Sequence, residues 1–528
     1  MAAITEANRK WWICGTMTLA LSMILIDQTV VSVALPSIQR DLDTSQTALQ
    51  WVVNAYLLAI AAFVAVGGRV ADILGTDRIF KLGAGVFVAA SAACGLADSE
   101  ATLLIARAVE GLGAALMIPA TGAIVINAFE PQERGRAMGV YAGVSMVFLA
   151  LGPLLGGILT QDVSWRAVFW INVPIGVVML VLAHLTVPRA PRVPGARLDW
   201  VGTLLLVPAL TALVLALMQS QEWGWGSLAI IALFAAAAVL LLAFVLVEPH
   251  IRHALIELRL FRSRNFSGDG FVLFCIEFAL IGLTVFGALW VQNVLAFTPI
   301  EAGLSLLPLT LPLLVLAPLV GRVYDKVGPR ALVGGGCALV AAALAWSAAV
   351  LHQVSYGSLI PAYVAMGVGI GMIMSPANTD SLNSAPPAER GEASGVIQTL
   401  RQVGGAVGLA VMGTVVANVQ QSHIDAFVAS DPKAGPGQAA EIERVLSESA
   451  GAQAAAREHI SRNVVSAAHD ALTAATSTSY YVAAGVMGFT AVVAVAVLRH
   501  VRAADAPPPE HPPTLPAPRG AVVGSPRA

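Results

Sequence analysis

The chain has 528 residues, of which 57% are hydrophobic and only 12% are charged, and its formal net charge is −2. Ordinary soluble domains carry roughly 25% charged residues, so this composition excludes a soluble fold and leaves soluble catalysis and nucleic-acid binding without support. The four cysteines form no C-x-x-C pair or Cys/His cluster, so they indicate neither a disulfide nor a metal site.

Fourteen apolar runs, separated by short polar stretches, follow one another along the chain. Most of them reach the roughly 20 residues that a helix needs to cross a bilayer. The runs are 12–34, 47–67, 79–98, 102–126, 137–159, 167–187, 200–217, 227–247, 267–292, 302–321, 331–351, 357–379, 394–419 and 479–499. Arginine and lysine collect in alternate loops, which predicts that both termini are cytoplasmic. The predicted fold is an all-α polytopic protein of the cell membrane.

Two segments lack the apolar pattern. Residues 420–478 are rich in alanine, serine and glutamate, and they are predicted to form an extracytoplasmic loop with amphipathic helical turns around 439–446 and 454–472. This loop is either a lid or a solvated connector. The proline-rich tail, 501–528, is disordered by composition and is predicted to lie in the cytoplasm.

A carboxylate lies inside the first apolar run. Asp27 occurs in the stretch LIDQTVVSVALP at 25–36. An acid at the centre of a spanning helix costs about 2.5–3.5 kcal/mol on insertion scales, so Asp27 is a candidate functional residue. The alternative is a structural link to a neighbouring helix. Whether Asp27 faces a wet cavity distinguishes the two.

The fourth apolar run contains two charged residues, Arg107 and Glu110, which are three positions apart and therefore lie on one face of a helix. Arginine stays protonated, whereas the protonation of a buried carboxylate depends on its neighbours. We therefore expect Asp27 and Glu110 to compete for Arg107, as proton coupling would require. A permanent buried ion pair that joins two helices is the alternative.

The second half of the chain has its own acidic residues. Glu277 lies within the ninth run and could line the same cavity from the opposite side, or it could form an interhelical hydrogen bond. Asp269 and Asp380 lie near the predicted cytoplasmic ends of their helices, and we expect them to be interfacial.

An internal repeat relates the two halves. The sequence G-R-V-A-D at 68–72 returns as G-R-V-Y-D at 321–325, and E-R-G-R-A-M-G-V at 133–140 returns as E-R-G-E-A-S-G-V at 389–396. Two six-helix halves in parallel repeat are implied, with a substrate site expected between them near the midplane. The predicted units are an N-terminal bundle (1–187), an inserted helix pair with its linkers (188–265), a C-terminal bundle (266–500) and the tail.

These motifs resemble the Major Facilitator Superfamily, and within it the fourteen-helix drug:proton antiporter group of EmrB- and QacA-like pumps. The resemblance covers about 1–420 and the last helix. The loop signature of the family matches Gly68, Asp72, Gly75 and Arg78, although Thr76 and Asp77 replace the usual basic residues. The signature of the fourth helix matches Leu103, Arg107 and Gly111, with Glu110 where glutamine is usual. The antiporter signature of the fifth helix is similar to Gly152, Pro153, Gly156 and Gly157.

The resemblance implies the major facilitator fold and a role in gating for the two repeated loops. Asp72 and Asp325 either cap a following helix or take part in a charge relay, and the resemblance favours the gate. In the fifth helix the small glycines allow close helix approach and Pro153 bends the helix, which suits a seam that closes one route through the protein.

A polar stripe at helical spacing runs along the thirteenth helix, and a stripe of this kind must face protein or water. Its members are Ser394, Gln398, Arg401, Gln402 and Gly405. The three longer side chains, Gln398, Arg401 and Gln402, are candidates to line the substrate cavity. The stripe could equally stabilise the bundle.

The chain has no G-x-x-x-x-G-K-[ST] loop and no cytoplasmic stretch long enough for an ATPase, so we expect an ion gradient to supply the energy, without a cofactor. The predicted function is proton-coupled antiport that exports amphipathic, lipophilic or cationic drugs by alternating access. The chain is expected to work as a monomer, with a small-molecule substrate, protons and the lipid bilayer as partners. A dedicated exporter of an endogenous metabolite, natural product or lipid is the alternative, and a membrane sensor or enzyme on this scaffold is more remote.

Overall fold

The computed structural model describes residues 5–190, 197–251, 253–430, 442 and 462–499, and this part of the chain contains helices but no β-strand. The long helices are α1 (Glu6–Leu42), α2 (Gln46–Leu74), α3 (Thr76–Gly95), α4 (Glu100–Ala128), α5 (Arg134–Asp162), α6 (Asn172–Thr186), α7 (Trp200–Trp223), α8 (Leu228–Val247), α9 (Arg264–Asn293), α10 (Leu307–Val327), α11 (Pro329–Val350), α12 (Tyr356–Asn383), α13 (Arg390–Ser430) and α14 (Arg462–Val497). Thirteen described stretches are long and apolar enough to span a membrane, and α5 adds a fourteenth, bent by 43° between Leu149 and Leu154. The predicted all-α membrane fold is confirmed.

Contacts between distant parts of the chain mark one side of the helical bundle. Arg9, at the start of α1, donates a hydrogen bond from Nε to the carbonyl oxygen of Thr186 at the end of α6, at 2.8 Å. Asn265, at the start of α9, binds the main chain of Arg499, which follows α14. Because Arg134 at the start of α5 also binds Asn383 at the end of α12, the first described helix begins and the last one ends on the same side of the bundle, which we name the terminus side. The opposite side is the loop side.

Several helices extend beyond the apolar runs that predicted them. The first run, 12–34, lies within the longer α1, and α13 and α14 likewise continue past the expected membrane boundary on the loop side. There Ile424, Ile442, Val464 and Ala468 pack together and stabilise the extensions. Helix α14 includes the end of the turn predicted at 454–472. The rest of that turn, the turn at 439–446 apart from Ile442, and the tail at 501–528 lie outside the described residues.

The two halves of the chain have the same helix packing. In the first half α1 packs against α5, and α4 packs against both α2 and α3. In the second half α9 packs against α13, and α12 packs against both α10 and α11. This correspondence places α9–α14 as a structural copy of α1–α6, in agreement with the repeated loop sequences.

The halves meet along two seams that are equivalent in the repeat. Helix α2 packs against α13 on one seam, and α5 packs against α10 on the other. The inserted helix α7 packs against both α2 and α13, whereas α8 packs mainly against α7 and exposes most of its apolar surface. The insertion therefore lies beside the seam between α2 and α13.

Candidate functional site

Arg107 of α4 is the centre of a buried ionic cluster in the first half. Its Nη1 atom donates to Asp27 Oδ2 on α1 and to Glu110 Oε2 on α4, each at 2.7 Å. Its Nε atom donates to the main-chain oxygen of Val52 on α2, at 3.0 Å. Arg107 is 1% exposed and both acids are 0% exposed. The structure therefore brings together the three residues that the sequence analysis expected to interact, and Asp27 lies in the interior of the first half rather than at a wet surface.

Two polar side chains orient Asp27 from other helices. Asn172, at the start of α6, donates from Nδ2 to Asp27 Oδ1 at 3.2 Å and to Ser91 Oγ at 3.0 Å. Ser91 on α3 donates in turn to the main-chain oxygen of Phe169, at 3.0 Å. Neither Asn172 nor Ser91 was among the candidate residues of the sequence analysis. The sequence signal for Asn172 was an amide side chain in an apolar run, because a buried amide needs a hydrogen-bond partner.

The surroundings of the guanidinium are aromatic. The Arg107 guanidinium carbon lies 4.3 Å from the ring centre of Tyr56 and 5.7 Å from that of Phe169. Cation–π attraction strengthens when the cation is desolvated, so these rings stabilise the buried positive charge. Neither ring was identified from the sequence, because both approach Arg107 through tertiary packing.

The cluster contains two acidic side chains and only one basic side chain. With both acids ionised, Asp27, Glu110 and Arg107 sum to one negative charge, and a single added proton makes the cluster neutral. A net charge is costly in a low-dielectric interior, so the composition of the cluster favours one bound proton. Because both acids bind the same guanidinium nitrogen, that proton can be held by either of them.

A separate ion pair lies in the second half. Arg401 of α13 donates from Nε to Glu277 Oε1 of α9 at 2.7 Å, and from Nη1 to Gln398 Oε1 at 2.9 Å. The Arg401 and Glu277 side chains keep 16% and 17% exposure, and Arg401 interacts electrostatically with Tyr141 of α5 across the interface. Glu277 is therefore paired within its own half, beside the boundary with the other. Gln402 is half-buried and its role as a cavity-lining residue stays a prediction.

Asp72, near the end of α2, caps a helix of the opposite half. Its Oδ1 and Oδ2 atoms accept the N–H groups of Gly391 and Glu392, in the first turn of α13, at 2.9 and 2.6 Å. A carboxylate at a helix N-terminus satisfies unpaired donors and interacts favourably with the helix dipole. Arg69 adds a 3.0 Å contact from Nη1 to Glu392 Oε2. These contacts join the halves on the terminus side.

Two glycines allow the same closure on both seams. A Cβ atom on Gly68 would overlap the main chain of Gly391, and a Cβ atom on Gly321 would overlap the main chain of Gly135. Gly68 and Gly321 are equivalent positions of the G-R-V-x-D repeat, and Gly391 and Gly135 are equivalent positions of the E-R-G repeat. The first copy of the loop thus closes against α13 and the second against the start of α5, so that the terminus side is shut in this structure.

The remaining residues of the gating loop have local roles. Gly75 has a φ of +101°, a conformation that glycine adopts without strain. Arg78 donates to the carbonyl oxygen of Leu74, at 3.3 Å, and is exposed. Asp77, which replaces a basic residue of the resembling signature, is buried and accepts the N–H of Ala190 at 2.9 Å. The side chain of Asp325 lies outside the described residues.

Two of the α5 glycines lie in close contact with α1. A Cβ atom on Gly152 would overlap Thr29 of α1, and one on Gly156 would lie 2.7 Å from the main-chain oxygen of Val30. Gly157 faces Ile300, just before α10, with room for a Cβ atom. The side chain of Pro153 lies outside the described side chains, although the bend of α5 surrounds its position.

The family model described as the Major Facilitator Superfamily matches residues 17–218 and 199–409. The chain is 36% identical over 442 residues to the tetracenomycin C resistance and export protein of Streptomyces glaucescens, an alignment that covers 83% of this chain and 82% of that relative. It is 33% identical over 400 residues to the multidrug resistance protein Stp of Mycobacterium tuberculosis (strain CDC 1551 / Oshkosh), with 76% and 74% covered.

The fold also matches solved structures. The crystal structure of the human organic anion transporter MFSD10 (TETRAN) aligns with a TM-score of 0.61 at 13% identity, over 92% of this chain and 99% of that chain. At this identity the match concerns the fold alone. The repeated halves, the family model that spans both of them and the relatives lead to one conclusion: the chain belongs to the Major Facilitator Superfamily, as its motifs predict.

Proposed function

We propose that this protein is a proton-coupled antiporter of the cell membrane that exports lipophilic or amphipathic compounds, including antibiotics. The names of its relatives, which concern resistance to and export of such compounds, support the substrate class. The observation that carries the coupling is the buried cluster of Asp27, Arg107 and Glu110, in which two acids share one guanidinium nitrogen. No enzymatic activity and no cofactor form part of the proposal.

The cluster can couple proton movement to conformation because its protonation depends on its packing. Its charges and hydrogen bonds come from five helices, α1, α2, α3, α4 and α6. If these helices shift and admit water or substrate, the attraction between Arg107 and the acids weakens and a proton is exchanged. The repacking of helices during transport and the change in proton binding are then the same event.

Alternating access follows from the closed terminus side. We propose that this side faces the cytoplasm, as the distribution of basic residues predicts, so that the structure represents a state closed toward the cytoplasm. Opening requires the capping contacts of Asp72 and the packing at Gly68 and Gly321 to separate. The Glu277–Arg401 pair beside the interface, together with Gln398, is placed to contact substrate between the halves. A single chain contains both halves and works as a monomer.

Replacing Asp72 with asparagine should slow transport while leaving the protein inserted and able to bind substrate. The carboxylate accepts two N–H groups across the interface, and losing its charge at a helix N-terminus costs about 1–2 kcal/mol. The ratio of closed to open states should fall roughly 5- to 30-fold. Turnover in proteoliposomes and substrate affinity measure the two effects separately.

The matched control is Asp77→Asn, in the same loop, because Asp77 binds Lys81 of its own helix and the main chain of Ala190 in the linker, rather than α13. It should leave the closed-to-open ratio unchanged. A collapse of substrate affinity in Asp72→Asn with normal rates of alternation would contradict the assignment of Asp72 to the gate.

The range of compounds that the protein exports distinguishes drug export from the dedicated export of one natural product. The similarity to the tetracenomycin C export protein favours the second alternative. The chain should be expressed in a pump-deficient bacterial host, with Asp27→Asn as the inactive control. Growth inhibition and accumulation are measured for a cationic dye, neutral lipophilic antibiotics and an aromatic polyketide. We expect reduced accumulation that a protonophore abolishes. Protection that persists with the protonophore, or against none of these compounds, would refute the proposal.

A further inference from the structure

A second pair of acids lies on the terminus side of the C-terminal half. Asp269 of α9 is 0% exposed and Asp380 of α12 is 6% exposed. The sequence analysis expected both to be interfacial. They lie at the expected ends of their helices, but they are enclosed by protein rather than open to the interface.

The two acids differ in their hydrogen-bond partners. Asp380 accepts from Asn265 Nδ2 at 2.8 Å and from the hydroxyl of Tyr324 at 2.9 Å, one on each oxygen. Neither oxygen of Asp269 receives an N–H or O–H group from the described residues. The group that Asp269 faces is the carboxyl of Asp380. A fully buried carboxyl without a donor, directed at a second carboxyl, needs a ligand that carries positive charge.

No cation of the described chain supplies that charge directly. From the end of α14, Arg499 binds Asn265 through its main chain, while its side chain is exposed. From α12, Asn383 contacts the hydroxyl of Tyr324 at 3.5 Å, and only beyond it comes Arg134 of α5, which donates to Asn383 Oδ1 at 2.8 Å.

Apolar side chains approach the same stretch of α9 from two other helices. They are Val497 and Leu498 at the end of α14, which approach Gly268, and Ile397 and Leu400 of α13, which approach Gly270. Two ionised carboxylates in this environment would repel each other without compensation. One proton turns them into an acid that donates to a carboxylate, a short and strong hydrogen bond.

We propose that Asp269 and Asp380 form a second proton-binding site, which holds one proton while the terminus side is closed and releases it to that side on opening. The link to opening is Tyr324, which binds Asp380 and directly precedes Asp325 in the second gating loop. Through Asn383 the same network reaches Arg134 in the other half. Separation of the halves breaks that contact, moves Tyr324 and admits water.

This site is distinct from the cluster at Arg107, which lies in the other half. The inference rests on the proposed alternating access but on neither the substrate class nor the role of Asp27. Its test therefore measures proton binding and gate opening in the purified protein without any transported compound. A failure of drug export would leave the result of this test unaffected.

The first measurement is infrared titration of the purified protein in lipid. The protein should show a band of protonated carboxylic acid that shifts with isotope-labelled aspartate and that persists in Asp27→Asn, which removes the aspartic acid of the first cluster. Asp269→Asn and Asp380→Asn should each lose that band, and Asp425→Asn, which removes an exposed acid of α13, should keep it. The absence of an aspartic-acid band in wild type, or its survival in both variants of the pair, would overturn the proposal. The wild-type measurement stands even if a variant fails to fold.

The second measurement is the access of a thiol reagent to Ser375→Cys. Ser375 is buried and donates to the main-chain oxygen of Gly135 across the closed interface. Deprotonation destabilises the closed state, so labelling should rise with pH, by up to about tenfold per pH unit for one proton. Asparagine mimics the neutral acid. In the Asp269→Asn and Asp380→Asn variants, the slope of the logarithm of labelling against pH should therefore be smaller by the contribution of one proton. An unchanged slope, or labelling that follows sodium concentration at fixed pH instead, would refute proton binding here.

Discussion

Asparagine at position 27 should abolish uphill export and leave downhill movement of substrate intact. The side chain keeps nearly the same volume and can still accept a hydrogen bond from Arg107, but it can neither take up nor release a proton. The substitution also leaves Glu110 and Arg107 as a neutral pair, so the protein should fold normally. Dissipation of a pH gradient on addition of substrate to proteoliposomes measures the loss of coupling.

Two variants of the same cluster serve as controls for Asp27→Asn. Asp27→Glu restores a titrating group and should retain some activity with a shifted pH optimum. Glu110→Gln introduces the residue that is usual in the resembling signature and should therefore be milder. Coupling like that of wild type in Asp27→Asn would exclude Asp27 as the proton carrier, and the role would then pass to Glu110 or Glu277.

Replacing Arg107 with glutamine should have the largest effect on stability. It removes the shared partner of two fully buried acids, and breaking a buried ion pair on one side costs about 3–5 kcal/mol. Thermal unfolding in detergent and the yield of monodisperse protein measure this loss. The triple variant Asp27→Asn/Arg107→Gln/Glu110→Gln removes all three charges and should recover most of the stability without recovering proton coupling.

The second half supplies a matched comparison for Arg107→Gln. Arg401→Gln breaks the pair with Glu277, which is partly exposed, so solvent can compensate for the lost partner. Exposed ion pairs contribute about 0–1 kcal/mol, so this variant should unfold close to the wild-type temperature. Equal losses in both arginine variants, or no recovery in the triple variant, would show that Arg107 acts through packing rather than charge.

The fold was accessible from the sequence because the membrane makes hydrophobicity a strong signal. Each of the fourteen apolar runs corresponds to a described spanning helix, and the repeated loops predict the two-half packing. The apolar runs did not predict where α1, α13 and α14 begin and end. A helix can continue into water once its hydrogen-bond ladder is established, so its end does not coincide with the edge of the apolar run.

The sequence predicted those parts of the site whose residues share a helix or carry a charge within an apolar run. Arg107 and Glu110 are neighbours on one helical face, and Asp27 is conspicuous in an apolar run. Ser91 and Tyr56 reach the cluster from α3 and α2, and their contacts depend on the rotation and depth of those helices. No local pattern encodes these quantities. The pairing of Asp269 with Asp380 depends in the same way on the packing of two helices that are far apart in the sequence.

The inserted helix pair is attached to the C-terminal half at both ends. On the loop side Gln221 and Trp225 donate to Thr414 Oγ1 of α13, at 2.6 and 2.9 Å. On the terminus side the linker after α8 donates from Glu257 N to Glu392 Oε1 of the same helix, at 2.5 Å. Although the pair follows the N-terminal half in the sequence, it is thus bonded to the C-terminal half, while α7 also packs against α2 of the N-terminal half. Any separation of α2 from α13 must therefore break either these hydrogen bonds or the packing of α7 on α2, so the inserted pair acts as a tether across this seam.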